Sequence, residues 1–304
     1  MHDLDAMLYV PAGDARKLAK VGELLASTTV IVDLEDAVAA DAKGQARTAL
    51  GRLLDELRDA PDPGRREQLW VRVNAPGTDG FAADVAACAR PEVDGLIVPK
   101  ATVESLETVA VELAALERSR GLAPDAVALL GLIETVAGWQ SVCGATAVPR
   151  RVHGLSFGAG DFSLELGIAF PPPGGVQGHT LLAAKADLVL HSRRLGLPPP
   201  HDGVYPAFRD LDGLRAEASY ARAMGFAGKH AIHPDQIPVI RAVFVPGEAE
   251  LDKARRIVAA AEEAERLGLG NASVDGELVD VPVVRRAEQL LRRGSALHGS
   301  DAPR

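Results

Sequence analysis

Two acidic residues, Glu134 and Asp161, each follow an apolar segment of the sequence. An unpaired carboxylate is costly to bury in such surroundings, so both residues need a cationic partner. Two hard oxygen ligands that leave room for water and substrate suit Mg²⁺ better than Zn²⁺, which prefers histidine and cysteine. The sequence therefore predicts a magnesium site here. The alternative is that both acids begin helices, where a negative charge complements the helix dipole.

Arg72 lies within the apolar segment Trp70–Asn74. The forked guanidinium group matches a carboxylate or an enolate oxygen, so substrate binding is one interpretation. A structural ion pair with Asp33, Glu35 or Asp36 is the other. The two interpretations are compatible, because an arginine held by one acid still has N–H donors for a substrate.

The segment Gly228–Asp235 contains Lys229, His230 and His233. Two histidines three residues apart could bind zinc, but no third ligand is indicated nearby, so packing or a hydrogen bond is favoured. Nothing in the sequence indicates a lowered pKa for Lys229. We therefore expect Lys229 to form a salt bridge rather than a Schiff base.

These residues are positioned by short segments rich in Val, Ile and Leu, which alternate with stretches of helical periodicity. The predicted strands are Met7–Pro11, Val30–Leu34, Leu69–Asn74, Gly95–Pro99, Ala128–Ile133, Gly154–Phe157, Gly203–Tyr205 and Gly228–Ile232. Continuous apolar character is typical of a parallel sheet covered on both faces. Eight such strands predict an α/β fold, a (β/α)8 TIM barrel, with the candidate residues at its C-terminal face. A doubly wound sheet is the alternative, but no GxGxxG motif follows the first strand.

The pattern changes after Pro246, where Glu248–Leu267 is predicted to be an amphipathic helix. Gly268–Val281 is interpreted as a loop, and Val283–Arg293 as a second helix. We therefore predict a catalytic barrel at residues 1–245 and a C-terminal helical extension at residues 246–304. The extension is expected to cover the barrel mouth, to dock onto a neighbouring subunit, or both.

Composition excludes several classes of protein. The 304 residues are 47% hydrophobic and 25% charged, with a net charge of −9, which is typical of a globular protein with no general attraction to nucleic acid or anionic lipid. No apolar run approaches the roughly 18 residues of a membrane span, and no secretory signal is apparent. The two cysteines, Cys88 and Cys143, do not form a metal or redox motif. We expect a cytoplasmic protein that binds neither nucleic acid nor membrane.

Several short motifs, read in order from about residue 7 to about residue 293, resemble one family. They are Leu8–Pro11, Asp33–Val38, Val71–Asn74, Pro99–Lys100, Ile133–Thr135, Gly158–Asp161, Gly228–Lys229, Ile232–Gln236 and Gly276–Pro282. Together they resemble the citrate lyase β-subunit-like (CitE-like) branch of the HpcH/HpaI aldolase/citrate lyase superfamily. Each motif alone is weak, but their order makes the resemblance specific.

The resemblance implies a homotrimeric TIM barrel that binds Mg²⁺ through Glu134 and Asp161. Members cleave or form the C–C bond of a 3-hydroxyacyl thioester such as malyl-, citramalyl- or citryl-CoA. The products are acetyl-CoA or propionyl-CoA and a keto acid. The resemblance also implies that Arg72 contacts the substrate carbonyl and the thioester enolate, and that Asp280 acts in proton transfer at the active site of an adjacent subunit.

These considerations give a set of predicted site residues. The predicted catalytic residues are Arg72, Asp280 and Glu35. The predicted substrate-binding residues are Asp33, Asp36, Lys100, Gly158, Ala159 and Gly160. The predicted metal ligands are Glu134 and Asp161. Gly160 departs from the family pattern, in which an acidic residue often precedes the metal-binding aspartate.

Three other functions compete with the acyl-CoA lyase. The first is an aldolase for free 2-keto-3-deoxy acids, against which the C-terminal extension with Asp280 argues. The second is a citrate lyase β subunit that uses an acyl-carrier-protein thioester within a larger complex. The third is a non-catalytic binding barrel, which the complete set of Arg72, Glu134 and Asp161 disfavours.

Overall fold

The computed structural model describes residues 5–60, 67–171 and 178–298, with the backbone alone at 295–298. Within these ranges the chain forms two compact units. The larger unit comprises residues 6–240, and the smaller one comprises Asp5 with residues 241–298. The boundary predicted from the sequence lies at residue 245, against residue 240 in the structure.

The larger unit is a closed barrel of eight parallel strands surrounded by helices, so the chain has the predicted (β/α)8 TIM-barrel fold. The strands are β1 (Ala6–Pro11), β2 (Thr29–Asp33), β3 (Leu69–Arg72), β4 (Gly95–Val98), β5 (Ala128–Ile133), β6 (Val152–Phe157), β7 (His201–Asp202) and β8 (Gly228–Ala231). Each strand pairs with the next one along the chain, and β8 pairs with β1 to close the barrel.

The seventh strand differs from its prediction. It is His201–Asp202, whereas the sequence pattern placed it at Gly203–Tyr205, so that assignment was wrong. This short strand is polar and yet buried, because the carboxylate of Asp202 lies 2.7 Å from the ammonium groups of both Lys185 and Lys229. A search for apolar segments does not find a strand stabilised by buried charge. The same contact confirms the salt bridge predicted for Lys229.

Helices follow the strands as the periodicity predicts. They are α1 (Ala15–Leu18), α2 (Val21–Leu24), α3 (Lys43–Asp59), α4 (Phe81–Cys88), α5 (Val103–Arg120), α6 (Val136–Gly144), α7 (Ala159–Leu166), α8 (His179–Arg194), α9 (Leu211–Met224), α10 (Gln236–Phe244), α11 (Glu248–Arg266) and α12 (Val281–His298). None of the helices in the described ranges has both the length and the apolar character that a membrane crossing needs.

Helix α5 shows how the sequence sets these bounds. The Thr102 side chain accepts a hydrogen bond from the Ser105 N–H at 3.1 Å, and the Ser105 side chain accepts one from the Thr102 N–H at 2.9 Å. This reciprocal pair is a capping box, which satisfies two N–H groups at the start of the helix. Leu106 and Val109, three residues apart, are fully buried. The helix ends at Gly121, whose φ of 69° is readily adopted only by glycine.

The smaller unit contains α11, α12 and a two-stranded antiparallel hairpin between them. Its strands are β9 (Ala272–Val274) and β10 (Glu277–Val279), within the segment that the sequence analysis interpreted as a loop. That interpretation was wrong, because Asp275 and Gly276 both have a positive φ and form the tight turn that joins two short strands. Helix α12 also begins earlier and ends later than the predicted Val283–Arg293.

Candidate active site

A cavity of about 640 Å³ lies at the C-terminal ends of the barrel strands. Side chains at this face of a TIM barrel are carried by the strand ends and by the loops that follow them, and they form the active site in enzymes of this fold. The predicted site residues that line the cavity are Asp33, Asp36, Arg72, Glu134, Gly160 and Asp161. The structure therefore brings together residues that lie up to 128 positions apart, from 33 to 161.

Arg72 is held by the acids that follow β2. The register of β2 and β3 places Asp33 beside Arg72. Asp33 accepts hydrogen bonds from Nε of Arg72 at 2.8 Å and from Nη2 at 2.6 Å. The Nη1 atom lies 2.9 Å from Glu35 Oε2 and 3.6 Å from Asp36 Oδ2. All three predicted ion-pair partners are thus present, and the guanidinium is fixed in one plane.

Glu35 connects Arg72 to Lys100. It is buried, and its Oε1 lies 2.9 Å from the ammonium group of Lys100. Burial raises the pKa of Glu35, although Arg72 and Lys100 both act to lower it. The backbone beside it is held by Lys43, whose ammonium donates to the carbonyl groups of Leu34 at 2.7 Å and Glu35 at 2.6 Å. Lys43 is a positioning residue that the sequence analysis did not identify, because its contacts are with backbone atoms.

Glu134 is a buried carboxylate with little neutralising charge around it. Only 4% of the residue is exposed, and Oε1 accepts a hydrogen bond from the Lys100 N–H at 2.8 Å. The pKa of Glu134 is raised to about 8, chiefly by burial and also by the nearby Glu35, although the hydrogen bond from the Lys100 N–H and the charges of Arg72 and Lys100 act to lower it. A bound cation would stabilise the ionised form of this buried carboxylate.

Asp161 lies in the first turn of α7, and 37% of its side chain is exposed. Its Oδ2 is 3.2 Å from the ammonium group of Lys100. Lys100 therefore contacts Glu134 through its backbone and Asp161 through its side chain. The φ of Lys100 is 48°, a left-handed conformation that non-glycine residues rarely adopt. This conformation occurs at the residue that contacts both predicted metal ligands.

The chemistry of this cluster fits a magnesium ion. Its carboxylates are Asp33, Glu35, Asp36, Glu134 and Asp161, and its cations are Arg72 and Lys100. Lys17 and Lys20 also line the cavity, so five acids face four cations and a deficit of positive charge remains. In the described ranges no three His, Cys, Asp or Glu residues form a metal-binding group. Magnesium does not need three, because it often binds one or two carboxylates and fills its remaining positions with water and substrate.

The glycine-containing segment before Asp161 approaches Glu134 closely. A Cβ atom on Gly158 would lie 2.4 Å from Glu134 Cβ, so only glycine fits there without displacement. The Gly158 N–H donates to the Ile133 carbonyl at 2.9 Å. It is therefore already bonded, and in this respect the sequence prediction for Gly158 needs correction. The N–H groups of Ala159 and Gly160 begin α7 and have no acceptor among the described residues.

Asp280, the remaining predicted catalytic residue, belongs to the smaller unit. It is exposed and lies immediately before α12. Its Oδ1 accepts the Val283 N–H at 3.1 Å, which makes Asp280 a cap for that helix. The exposed side chains of Leu278 and Val281 flank it.

Tyr9 and His230 are among the cavity-lining residues that were not predicted as site residues from the sequence. Tyr9 lies beneath the Arg72 guanidinium, with Cζ 5.0 Å from the ring centroid. His230 lies beside Tyr9 and also lines the cavity. The available signal was strand alternation: residue 9 faces the same side of the barrel wall as Pro11, at the end of β1. His233 lines the cavity as well and stacks on Phe208 at 5.2 Å.

Comparisons with known proteins cover nearly all of the chain. A family model described as HpcH/HpaI aldolase/citrate lyase matches residues 5–234. A second model, described as a C–C bond lyase of the TIM-barrel fold, matches residues 177–296. The two matches together span both units of the structure.

Individual proteins of known sequence or structure are similar to this chain over most of its length. A (3S)-malyl-CoA thioesterase from Cereibacter sphaeroides (strain KD131 / KCTC 12085) is 39% identical over 97% of this chain and 96% of its own. The citrate lyase subunit beta of Escherichia coli (strain K12) is 31% identical over 95% of this chain and 92% of its own. CitE from Mycobacterium tuberculosis, solved with magnesium, acetoacetate and coenzyme A, has a TM-score of 0.74 at 30% identity, covering 96% of this chain and 98% of that one.

Proposed function

The chain belongs to the HpcH/HpaI aldolase/citrate lyase family, and we propose that it is a Mg²⁺-dependent carbon–carbon lyase of 3-hydroxyacyl-CoA thioesters such as malyl-CoA. The family expected from the sequence motifs is thereby confirmed. The observation that carries the proposed function is the meeting of Arg72, Glu134 and Asp161 at one cavity of the barrel. Its support includes a neighbouring structure that holds both magnesium and coenzyme A.

In this proposal Glu134 and Asp161 hold the magnesium ion. A bound divalent ion polarises the oxygen atoms of the keto-acid portion and orients them. The raised pKa of Glu134, about 8, supports the assignment, because it marks a buried carboxylate that lacks a cation. Lys100 contacts both of these residues, Glu134 through its N–H group and Asp161 through its ammonium group.

The proposed role of Arg72 is to stabilise the charge that develops on the thioester. Cleavage transfers the 3-hydroxyl proton to a base, converts C3–O to a carbonyl, and moves the electron pair of the C2–C3 bond onto the thioester oxygen. The resulting enolate is protonated at carbon to give acetyl-CoA. Arg72 is held rigidly by Asp33 and Glu35, and N–H groups beyond those bonded to these acids remain for the substrate. Such preorganised donors lower the barrier because they do not reorganise during the reaction.

The substrate carboxylate has its own proposed partners. The N–H groups of Ala159 and Gly160, at the start of α7, have no acceptor within the described ranges and are suited to an anion. The ammonium group of Lys100 supplies positive charge beside them. Asp36 is 61% exposed at the cavity wall, where we expect it to contact polar substrate atoms rather than the reacting bond.

Asp280 is the proposed base, and we propose that it acts in an adjacent subunit of a homotrimer. The exposed apolar side chains beside it, Leu278 and Val281, favour a surface that is covered in an assembly. Light scattering tests the trimer. Mixed trimers of Asp280→Ala and Arg72→Ala protomers should recover turnover, and verified mixed trimers with no recovery would exclude the cross-subunit role.

The deciding experiment is a panel of malyl-, citramalyl- and citryl-CoA, assayed with Mg²⁺ and with EDTA. Release of acetyl-CoA and the matching keto acid from one of them, dependent on Mg²⁺, is the expected result. Failure on all three thioesters, with turnover of free 2-keto-3-deoxy acids or of carrier-protein thioesters instead, would replace the proposal with one of those activities. A cytoplasmic location remains a prediction.

A thioesterase is the second candidate, favoured by the relative at 39% identity that is named as one. Hydrolysis would release free coenzyme A and intact malate, whereas C–C cleavage releases acetyl-CoA and glyoxylate. A thiol reagent detects the first outcome, and chromatography of acetyl-CoA detects the second. The same reaction mixture therefore separates the two activities.

A further inference from the structure

Tyr9 is a cavity-lining residue to which the proposed mechanism gives no role. Its ring lies beneath the guanidinium of Arg72, with Cζ 5.0 Å from the ring centroid. The ring of His230 meets it edge-on, with the centroids 5.5 Å apart and an interplanar angle of 71°. A cation over the face and an aromatic edge are both attractive contacts for a phenol ring. Tyr9 is therefore held in one orientation.

The hydroxyl group of Tyr9 lies among the groups assigned to the reaction. The charges of Arg72, Asp33, Glu134 and Glu35 all act on its ionisation. Asp33, Arg72 and Glu134, at the ends of β2, β3 and β5, line the same cavity as Tyr9. The residue is partly open to the cavity, which is the side from which a substrate would approach.

No hydrogen bond within the described ranges engages this hydroxyl group. Tyr205 provides the contrast, because its hydroxyl donates to Asp210 Oδ2 at 2.7 Å. Tyrosine hydroxyl groups in protected positions usually have a partner. The hydroxyl of Tyr9 is thus free to bind a ligand in the cavity.

The hydroxyl group is a donor rather than a base at neutral pH. Burial raises the pKa of Tyr9 above its ordinary value of 10.0, more than Arg72 lowers it. A neutral donor strengthens its hydrogen bond as the acceptor gains negative charge. In the proposed cleavage the acceptor that gains charge is the thioester oxygen, which the proposed mechanism places against Arg72.

We propose that the Tyr9 hydroxyl donates a second hydrogen bond, beside those from Arg72, to the thioester oxygen that becomes negative during cleavage. This inference rests on the proposed lyase function and adds a catalytic residue to it. Arg72 supplies the charge, and Tyr9 supplies a neutral donor from the residue whose ring packs against the guanidinium. The neutral donor stabilises the developing negative charge on the thioester oxygen without changing the net charge of the site.

The test is Tyr9→Phe, which removes one oxygen atom and keeps the ring between Arg72 and His230. With the thioester that the wild type cleaves, kcat should fall about 100-fold, as for the loss of one oxyanion donor, while KM changes less than about threefold. Exchange of deuterium from D₂O into the methyl group of acetyl-CoA should slow by a similar factor, because exchange passes through the same enolate. The control is Tyr220→Phe, since Tyr220 is 54% exposed on α9.

The outcomes separate this inference from the function on which it rests. Suppose that the wild type cleaves a thioester and that Tyr9→Phe stays within about twofold of it in both kcat and exchange rate. That result would overturn the role of Tyr9 but not the lyase function. A wild type that neither cleaves a thioester nor exchanges the methyl protons would overturn the lyase itself. A fall in kcat without slower exchange would also contradict the proposal, because it would place Tyr9 in a step other than enolate formation.

Discussion

Asp33 and Arg72 form a bidentate pair across two neighbouring strands, with Nε at 2.8 Å and Nη2 at 2.6 Å from the two carboxylate oxygens. The pair is almost completely shielded, since the Arg72 side chain is 12% exposed and the Asp33 side chain is 3% exposed. A bidentate contact fixes the plane of the guanidinium as well as its position. The structural and catalytic interpretations of Arg72 therefore describe one arrangement, in which an acid aims the arginine at the cavity.

Replacing Arg72 with lysine should reduce kcat by about 100-fold or more, because an ammonium cannot form the planar two-point contact and loses the donor aimed at the thioester. Steady-state kinetics with the cleaved thioester measures the effect, and circular dichroism checks that the variant is folded. The control is Arg90→Lys, at a surface ion pair with Asp55 and Glu92. Activity of Arg72→Lys within twofold of wild type would remove the guanidinium from the mechanism.

Most of the barrel could be predicted because buried parallel strands are apolar on both faces and leave a visible signal in the sequence. The signal fails where charge replaces apolar packing, as in His201–Asp202. The hairpin of the smaller unit was missed for a different reason. Its strands are three residues each, too short for a periodicity, and only the Asp275–Gly276 turn marks it.

The site could be predicted as a set of residues but not as a geometry. Glu134, Asp161 and Arg72 were identifiable because burying a charged side chain beside an apolar strand costs free energy unless the charge has a partner. The position of Lys100 between Glu35 and Asp161 could not be predicted from the sequence, because it depends on a left-handed backbone conformation and on distances across the barrel. The proposed contribution of Asp280 depends on a second subunit, and it remains a prediction.

Glu134→Gln should lose Mg²⁺-dependent activity by about 100-fold or more while the protein stays folded, since the amide keeps the shape of the side chain but not its charge. Titration calorimetry with Mg²⁺ should show correspondingly weaker binding. Glu104→Gln, at an exposed position in the first turn of α5, is the control and should behave as the wild type. Unchanged magnesium binding in Glu134→Gln would remove Glu134 from the ligand set.

Magnesium binding should depend on pH through Glu134, whose pKa is raised from 4.5 to about 8 by burial. Between these values the folded protein holds a proton that the unfolded chain has lost, so Glu134 lowers the free energy of unfolding as pH rises through this range. Mg²⁺ must displace the same proton. Its apparent affinity should therefore rise by about tenfold per pH unit below pH 8 and level off above it.

Calorimetry at pH 6.5, 7.5 and 8.5, in buffers of different ionisation enthalpy, measures both the affinity and the proton release. Close to one proton should leave for each ion bound at the lowest pH. The Glu134→Gln variant should show neither effect. An affinity that does not change with pH in the wild type would contradict the assignment.

Asp202→Asn should destabilise the barrel by about 3–5 kcal/mol, because it removes the carboxylate that the buried ammonium groups of Lys185 and Lys229 share and leaves Lys229 with Glu217 alone, at 2.6 Å. Urea unfolding measures the change, with exposed Asp41→Asn as the control. The replacement Asp202→Glu tests whether charge alone suffices in this packed position. A loss below 1 kcal/mol for Asp202→Asn would show that the two lysines find other partners or lose their protons at little cost.

Gly158→Ala tests whether the close approach of the chain sets the position of Glu134. The added methyl group would lie 2.4 Å from Glu134 Cβ and 2.7 Å from its Oε2, so either the carboxylate or the backbone before α7 must move. We expect a loss of 1–3 kcal/mol in the free energy of unfolding, about the usual cost of overpacking, and at least a tenfold weaker response to Mg²⁺.

Gly154→Ala is the matched control, because it adds the same methyl group on β6, the strand that ends just before Gly158, at a position where no atom lies within 4 Å. It should retain the activity and magnesium response of the wild type. If Gly158→Ala loses stability but keeps its magnesium response, Glu134 is not constrained by this contact. If Gly158→Ala loses both while Gly154→Ala loses neither, the absence of a side chain at residue 158 is what lets Glu134 occupy its place at the cavity.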